Sequence, residues 1–291
     1  MNKQATRAGP SFRTLLVLGR TSNLPTVWSN CLAGWLIAGG GRWERLVLLC
    51  LGASSLYLGG MFLNDAFDID FDRQHRPERP IPSGAISLRA VLILGCGWLL
   101  SGVLCISFLG QAPVLVALLL AIAIVVYDAI HKILVLAPIL MALCRFLLVL
   151  MASASGLNGI VGLSIWSALV LAGYIIGLSY LARKESTPGP LQYWPCVFLA
   201  SPIVLALIVN QGSYQKRAAM LAAILVLWLF RSLRFLYWYG HPNVGRTVSS
   251  LLAGIVLVDL LATGGLTAVA NLTFAVLFLL AILFQRMIPA T

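Results

Sequence analysis

Residues 43–84 read WERLVLLCLGASSLYLGGMFLNDAFDIDFDRQHRPERPIPSG. The first part, residues 43–64, is apolar over the length, roughly 20 residues, that an α-helix needs to cross a bilayer. A cluster of carboxylates between Asn64 and Asp72 follows directly on its end, and a loop rich in proline comes next. The stretch therefore predicts a membrane-spanning helix that carries a polar site at one end.

The composition extends this prediction to the whole chain. Of 291 residues, 60% are hydrophobic and only 10% are charged, with a mean hydropathy of +0.95. That is too few charges to cover the surface of a soluble protein of this length. The apolar runs are continuous rather than alternating, which favours helices over a β-barrel. We therefore predict an all-α polytopic membrane protein in which residues 1–291 form a single membrane-embedded domain.

Ten apolar segments recur along the chain and are the predicted spans. They cover residues 24–40, 43–64, 88–109, 112–127, 133–155, 160–182, 194–210, 217–238, 247–264 and 267–286. The fourth and the ninth are short, and the Gly264–Gly265 break is either a kink or a turn. The expected number of spans is therefore nine or ten.

The basic residues predict the orientation of these spans. With ten spans and both termini inside, fifteen lysines and arginines fall in the inner segments and four in the outer ones. Such a bias places the inner segments in the cytoplasm. The net charge of +11 is then explained by the membrane surface and requires no nucleic acid. We expect an integral multi-pass protein, in the inner membrane if the source is bacterial, with no removable signal peptide.

The carboxylate cluster has a helical order. At about 100° per residue, Asn64, Asp68 and Asp72 form an i, i+4, i+8 ladder, with Asp65 on the same face and Asp70 on the opposite one. Like charges on one face repel each other, so a cation should offset them. Mg²⁺ with oxygen ligands fits best, because it usually takes one or two carboxylates together with water and phosphate oxygens. The alternative is a solvated acidic helix end that pairs with the basic tract after it.

The segment from Arg76 to Gly84 contains three prolines and a glycine, which exclude a helix and predict a shaped loop. Its arginines, Arg76 and Arg79, lie next to the expected metal site. Guanidinium groups in such a place are suited to binding phosphate oxygens.

Together, the ladder Asn64-xxx-Asp68-xxx-Asp72 and the loop Arg79-Pro-Ile-Pro-Ser-Gly resemble the first signature of the UbiA superfamily of membrane prenyltransferases. The stretch from Arg20 to Pro25 resembles the beginning of the family's first helix. Tyr127-Asp-Ala-Ile-His-Lys132 lies where members often carry a tyrosine and a basic residue. The resemblance implies a bundle of nine to ten transmembrane helices around a central cavity, with Mg²⁺, an isoprenyl diphosphate and an acceptor as ligands.

The chain departs from the family at the second acidic motif, which here reads Leu178-Ser-Tyr-Leu-Ala-Arg-Lys-Glu185. A single carboxylate, Glu185, remains as the expected metal ligand, and Arg183 and Lys184 are expected to bind diphosphate. This stretch is similar to the EboC-like branch of the family, which makes the usual acceptors less expected. The alternative is an ordinary basic helix end at the cytoplasmic face.

Further polar residues in the apolar segments are candidates for the site. Arg145 is predicted either to pair with Asp259 or to face the cavity and bind diphosphate, since an unpartnered charge in a membrane is costly. Asn23 and Asn30 lie on one face of the first helix and either line the cavity or bond a neighbouring helix. The complete set of predicted diphosphate-binding residues is Arg76, Arg79, Lys132, Arg183, Lys184, Tyr180, Asn23 and Arg145. The predicted metal ligands are Asn64, Asp65, Asp68, Asp72 and Glu185, of which Asp68, Asp72 and Glu185 are the predicted catalytic residues.

The predicted function is that of a Mg²⁺-dependent intramembrane prenyltransferase. It transfers a polyprenyl group from an isoprenyl diphosphate to an aromatic or other lipophilic acceptor, at a site that faces the cytoplasm. Two alternatives stay open. A terpene cyclase of the UbiA type would ionise the diphosphate without an acceptor, and a cation-coupled transporter would use the ladder as an ion site, although its expected pair of broken helices is not seen.

Overall fold

The chain is described here by a computed structural model that covers residues 11–132, 134–185, 192–210, 214–238, 242–263 and 267–288. The side chain of Glu185 is not included. All regular structure in these ranges is helical. In chain order the α-helices are α1 (Phe12–Leu18), α2 (Leu24–Ile37), α3 (Trp43–Phe67), α4 (Ile69–His75), α5 (Leu88–Ser107), α6 (Gln111–Ile130), α7 (Ala137–Ala154), α8 (Gly162–Ala182), α9 (Pro195–Val209), α10 (Gln215–Tyr237), α11 (Val244–Ala262) and α12 (Ala268–Met287).

The prediction of a polytopic all-α protein is confirmed. Within the described ranges, eight helices are long and apolar enough to cross a membrane: α3, α5, α6, α7, α8, α10, α11 and α12. Each of the ten predicted segments contains one helix, and the two below that length are α2, with 14 residues, and α9, with 15. The exposed faces of these helices carry large apolar side chains suited to contact with lipid.

The prediction that the fourth and ninth spans are short is wrong. The corresponding helices, α6 and α11, have 20 and 19 residues. The predicted fourth span stops before Asp128, but the backbone of α6 continues through this residue, whose side chain is buried and accepts a hydrogen bond from Asn64. The ninth span begins three residues earlier than predicted, because the side chain of Asn243 caps α11 by accepting a hydrogen bond from the backbone N–H of Arg246. The Gly264–Gly265 break lies outside the described residues.

Side-chain contacts bring the ends of several helices together at one end of the bundle. Arg20, just before α2, contacts Asp65 near the end of α3, and Lys132, just after α6, contacts Asp68. Arg183, after α8, donates a hydrogen bond to the carbonyl of Val135, before α7. We call this end of the bundle, defined by these residues, the acidic end. At the opposite end, the backbone N–H of Asn158 donates to the carbonyl of Ala38.

Two pairs of glycines allow α3 and α5 to pack closely. A Cβ atom on Gly102 would lie 2.9 Å from the carbonyl oxygen of Gly52, and one on Gly59 would lie 2.9 Å from that of Gly95. Small residues at such positions let two backbones approach each other, which is how membrane helices gain packing contacts without a hydrophobic driving force. This contact fixes α5 against the helix that carries the carboxylate ladder.

A cavity lies between α2, α3, α6 and α7. On α3, α6 and α7 the lining residues recur with the i, i+3, i+4 spacing of one helix face. They are mostly apolar, with four side chains that carry polar groups. The lining consists of Val27, Ala53, Leu56, Tyr57, Gly60, Met61, Leu120, Ile124, Tyr127, Asp128, Met141, Cys144, Arg145 and Leu148.

The glycine contact predicts a difference between two substitutions on α5. Gly102→Leu should destabilise the protein by about 1–3 kcal/mol, because the side chain must force α3 and α5 apart. Gly97→Leu is the matched control, since nothing lies within 4 Å of a Cβ atom at Gly97. Thermal unfolding in detergent measures both, and equal melting temperatures would contradict the close-packing interpretation.

Candidate active site

The predicted ladder of oxygen ligands forms as the helical geometry requires. The backbone N–H of Asp68 donates to the carbonyl of Asn64, and that of Asp72 donates to the carbonyl of Asp68, so the helical path continues across the junction of α3 and α4. The side chains of Asn64, Asp65, Asp68 and Asp72 are buried. The side chain of Asp70 is 87% exposed. The separation of Asp70 from the other acids therefore agrees with the sequence prediction.

Two arginines neutralise Asp65 and Asp72. Arg20 donates from one Nη2 to the Oδ1 atoms of Asn64, at 3.2 Å, and Asp65, at 3.1 Å. Arg79 donates from Nη1 to Oδ2 of Asp72, at 2.9 Å, and lies 3.4 Å from Oδ1 of Asp65. Asp65 is therefore held between two guanidinium groups. The predicted position of Arg79 beside the acidic cluster is thus observed.

Arg20 reaches the ladder through an unusual backbone conformation. Its φ angle of 40° lies in the left-handed region, which costs a non-glycine residue of order 1–3 kcal/mol. The hydroxyl of Tyr57 donates to the carbonyl of Arg20, and Asn23 donates from Nδ2 to that same hydroxyl. The turn before α2 is therefore tied to α3. Asn23, predicted to bind diphosphate, is placed by the structure in this connection between helices.

Asp68, in the middle of the ladder, contacts two residues that follow α6. Oδ1 of Asp68 lies 2.8 Å from Nζ of Lys132 and 3.3 Å from Nε2 of His131. Burial by itself would raise the pKa of Asp68, but the hydrogen bonds from His131 and Lys132 outweigh it and keep that pKa below its ordinary value. Burial would likewise lower the pKa of His131, but its bond to Asp68 raises it. Lys132 is therefore beside the ladder, as the resemblance implied.

A further carboxylate joins the site from within α6. Asn64 donates from Nδ2 to Oδ1 of Asp128 at 3.1 Å, and Asp128 is 3% exposed. Its other oxygen, Oδ2, is buried and has no hydrogen-bond partner among the described residues. Because Asp128 also lines the cavity, it connects the polar ladder with the apolar space inside the bundle.

The structure describes only part of the second motif. Arg183 donates from Nη1 to the carbonyl of Val135 at 2.6 Å, which attaches the end of α8 to the loop that also carries Lys132. The ring of Tyr180 packs edge-on against Trp194, with centroids 4.7 Å apart. Lys184 lies in the short 3₁₀ turn after α8 and is half-buried. The side chain of Glu185 lies outside the described residues, so its predicted role as a metal ligand stays a prediction.

Arg145 and Asp259 are connected through Asn30 rather than in direct contact. Arg145 donates from Nη1 to Oδ1 of Asn30 at 2.7 Å and from Nη2 to Oγ1 of Thr26 at 3.1 Å. Asn30 in turn donates from Nδ2 to Oδ2 of Asp259 at 2.7 Å. The predicted structural link therefore exists, but as a relay across α7, α2 and α11. Asn30 bonds neighbouring helices, which was one of its two predicted roles.

The donor set of the ladder suits a hard divalent cation. Asn64, Asp65, Asp68, Asp72 and Asp128 supply oxygen atoms, the ligand type that Mg²⁺ prefers. The unpartnered Oδ2 of Asp128 is a buried acceptor that such an ion would satisfy. No three acidic, cysteine or histidine side chains of the described residues converge on one point, because arginine, lysine and histidine side chains lie between the ladder carboxylates. The chemistry of the residues therefore fits the metal, and these cations must shift to admit it.

The fold and the ladder together define a family. A sequence model of the UbiA prenyltransferase family matches residues 24–242, which is most of the chain. The chain therefore belongs to the UbiA prenyltransferase family. The matched region includes the ladder, the proline-rich loop, the cavity helices and the second motif.

A curated relative matches part of this chain. The digeranylgeranylglyceryl phosphate synthase of Methanothrix thermoacetophila is 35% identical over 119 residues, which are 40% of this chain and 44% of that protein. The chain thus matches less than half the length of this curated relative. The assignment to the EboC-like branch stays a prediction.

Two solved structures share the fold. A UbiA homologue from Aeropyrum pernix K1 in its apo form has a TM-score of 0.67 at 15% identity, covering 84% of this chain and 97% of that chain. A UbiA homologue from Archaeoglobus fulgidus bound to GPP and Mg²⁺ has a TM-score of 0.52 at 15% identity, covering 94% of this chain and 97% of that chain. At these identities the likeness establishes the fold alone.

Three site residues were not identified from the sequence. Asp128 carried a usable signal, since an ionisable residue in an apolar segment is by itself a candidate for a functional site. His131 has no other histidine at ligand spacing in the sequence, and its partner in the structure is the carboxylate of Asp68. Arg20 lies 45 residues before Asp65, and only the tertiary structure brings the two side chains together.

The ion pairs predict different effects for the two arginines of the proline-rich loop. Arg79→Gln should destabilise the ligand-free protein by about 3 kcal/mol, because it leaves the buried carboxylate of Asp72 without its cation. Arg76→Gln is the matched control, since Arg76 takes part in none of the ion pairs among the described residues. Thermal unfolding in detergent compares them. A loss as large for Arg76 as for Arg79 would mean that net positive charge, not the specific pair, stabilises the loop.

Proposed function

We propose that the chain is a Mg²⁺-dependent intramembrane prenyltransferase. It transfers a polyprenyl group from an isoprenyl diphosphate to an aromatic or other lipophilic acceptor. The observation that carries this proposal is the buried ladder of oxygen ligands, which is surrounded by cationic side chains and joined through Asp128 to an apolar cavity. A diphosphate with an apolar tail needs both features, because its charged end and its tail require opposite environments.

The diphosphate is bound at the acidic end. Arg20, Arg79 and Lys132 already lie beside the carboxylates, and each has further N–H donors for phosphate oxygens. Guanidinium groups match the geometry of phosphate and bind it through charge-assisted hydrogen bonds. Arg76 and the basic residues of the second motif, Arg183 and Lys184, add positive charge to the surroundings. Tyr180 stays a predicted neighbour of this group.

Asn64, Asp65, Asp68 and Asp72 are the proposed metal ligands of the ladder, with Asp128 as an additional oxygen donor. When bound, Mg²⁺ supplies positive charge that offsets the diphosphate and the charge that develops as the allylic C–O bond breaks. Glu185 is the proposed ligand from the second motif.

The side chains of this chain prepare the reaction in three ways. The basic residues orient the diphosphate so that the leaving oxygen points to the acidic end. The apolar cavity holds the prenyl group away from water, which would otherwise capture the allylic cation. When the acceptor forms its bond to the allylic carbon, pyrophosphate leaves and the acceptor loses a proton. The departing pyrophosphate, which carries several basic oxygens, is the proposed group that takes this proton.

The proposed topology has ten spans, with α2 and α9 as the two short ones. Both are packed among longer helices, so neither has to cover the full bilayer thickness by itself. In this arrangement both termini and the acidic end face the cytoplasm, and the whole chain forms one membrane-embedded unit.

The ladder predicts a sharp difference between neighbouring aspartates. Asp68→Asn or Asp72→Asn should lower Mg²⁺-dependent prenyl transfer by about 100-fold or more, since each removes charge aimed at the reacting diphosphate. Asp70→Asn should have little effect, because its side chain points into solvent. The assay uses purified protein, Mg²⁺ and prenyl diphosphates of graded length, with and without a cell lipid extract.

Products from the prenyl diphosphate alone, in the absence of extract, would instead indicate a terpene cyclase. Equal losses in all three variants would contradict the assignment of the ladder face. An absence of any Mg²⁺-dependent product would reject the proposed activity.

The topology has its own test. Tags at both termini and in the loop around Glu78 should be accessible from the cytoplasm, and reporters near Gly110 and Asn158 should be accessible from the other side. Accessibility labelling of whole cells measures this. Termini on opposite sides would mean that the ten-span arrangement is wrong.

A further inference from the structure

The turn before α2 holds a residue in a conformation that needs support from its surroundings. Arg20 has a φ of 40° and a ψ of 47°, in the left-handed region. Among the residues that the structure describes, it is the only non-glycine residue with a positive φ. Such a residue persists only where neighbouring groups determine its conformation. At Arg20 these groups contact both the side chain and the backbone.

Both kinds of contact come from one face of α3. Asn64 and Asp65 accept hydrogen bonds from the guanidinium group of Arg20, and the hydroxyl of Tyr57 donates to its carbonyl at 3.2 Å. Tyr57 and Asn64 are seven residues apart, which is about two helical turns, so they lie on the same face. Helix α3 therefore holds Arg20 at two points, and the backbone contact determines the place from which the side chain extends.

The hydroxyl of Tyr57 is fully engaged in this turn. It donates its one proton to the carbonyl of Arg20 and accepts a hydrogen bond from Nδ2 of Asn23 at 3.3 Å. The side chain of Tyr57 also lines the cavity. Because its only proton is used in the turn, the hydroxyl has none to donate to a ligand of the cavity. The geometry therefore favours a role through Arg20 over a direct role in the reaction.

The residue before Arg20 allows the turn to lie close to α3. A Cβ atom on Gly19 would lie 2.7 Å from Cδ2 of Leu58, the neighbour of Tyr57 in the chain. Since glycine has no Cβ atom, the turn approaches α3 closely, and the hydroxyl of Tyr57 reaches the carbonyl of Arg20. A larger residue at position 19 would push the turn away from this contact.

We propose that Tyr57 is a positioning residue for diphosphate binding. Its hydroxyl holds the backbone of Arg20 in the left-handed conformation, so that the guanidinium group stands beside the ladder before a diphosphate binds. Preorganisation of this kind reduces the ordering that binding requires and therefore strengthens it. The inference rests on the proposed function, in which Arg20 binds the diphosphate, and it assigns a role to a residue outside that binding set.

Binding of pyrophosphate in the presence of Mg²⁺ tests this inference without turnover. Tyr57→Phe removes the hydroxyl but leaves the ring in the cavity wall. Titration calorimetry on the protein in nanodiscs should show an affinity about 3- to 10-fold weaker than that of the unmodified protein, which is the effect of about one hydrogen bond. Ser54→Ala is the matched control and should leave the affinity unchanged. Ser54 accepts a hydrogen bond from the indole N–H of Trp28, and so links α3 to α2 one turn away without bonding Arg20.

A double-mutant cycle shows whether Tyr57 acts through Arg20. Arg20→Gln alone should weaken pyrophosphate binding by about 10- to 100-fold, as expected for the loss of charge-assisted hydrogen bonds. In that background Tyr57→Phe should cause no further loss, because the group that it positions is gone. A purely structural role would lower the melting temperature and leave the affinity of the folded protein unchanged. A direct contact between Tyr57 and the ligand would cause the same loss in both backgrounds.

Two substitutes keep the test decisive. Should Tyr57→Phe fail to fold, Gly19→Leu displaces the same turn and should weaken binding, again only while Arg20 is present. Should pyrophosphate bind Arg20→Gln too weakly to measure, geranyl S-thiolodiphosphate, an unreactive diphosphate with an apolar tail, replaces it. Unchanged affinity in Tyr57→Phe or in its substitute, an equal loss in Ser54→Ala, or an equal further loss in the Arg20→Gln background would overturn the proposal.

Failure of this inference is distinct from failure of the proposed function. Prenyl transfer that depends on Asp68 and Asp72, with normal pyrophosphate binding in Tyr57→Phe, would reject only the role of Tyr57. The expected cycle in a protein without prenyl transfer would retain that role in binding a diphosphate and reject the proposed activity. An unmodified protein that binds no pyrophosphate in the presence of Mg²⁺ would overturn both.

Discussion

The structure depends on the neutralisation of buried carboxylates at one end of a membrane bundle. Asp65, Asp68 and Asp72 are almost inaccessible to solvent, and unpaired charges in such surroundings would be costly. Their cations come from distant parts of the chain: Arg20 before α2, Arg79 in the proline-rich loop, and Lys132 after α6. The requirement for charge pairing therefore gathers the ends of several helices around α3, and the same pairing assembles the candidate active site.

The loop between α4 and α5 connects this electrostatic arrangement with the apolar core. Ile81 and Ile86 are buried in a cluster with Leu18 and Phe62, while Arg79 in the same loop contacts Asp72. Gly84 has a positive φ of 77°, which permits the tight turn between the two isoleucines. The loop thus uses apolar anchors to hold a cation in place, and its prolines limit the conformations that it would lose on folding.

Much of the fold followed from periodicity and composition. Ten apolar segments predicted ten helices, and the i, i+4 spacing correctly separated Asp70 from the ladder, because helical geometry alone determines the face on which a residue lies. The lengths of α6 and α11 were underestimated where polar residues interrupt the apolar pattern. Asp128 shows why: Asn64 provides its hydrogen bond from another helix, and no local pattern contains that partner. The assignment of Glu185 as a metal ligand still rests on the local sequence pattern, because its side chain lies outside the described residues.

The sequence by itself determined that this protein is a membrane bundle and that its acidic ladder lies at the end of α3, since both follow from short-range order along one chain. Only the tertiary structure decided which cations meet the ladder, because Arg20 and Asp65 are brought together by packing between helices. It also decided the surroundings of Arg145. The sequence left open a direct pair with Asp259, whereas the packing of α2 between α7 and α11 inserts Asn30 and turns the arginine towards the cavity.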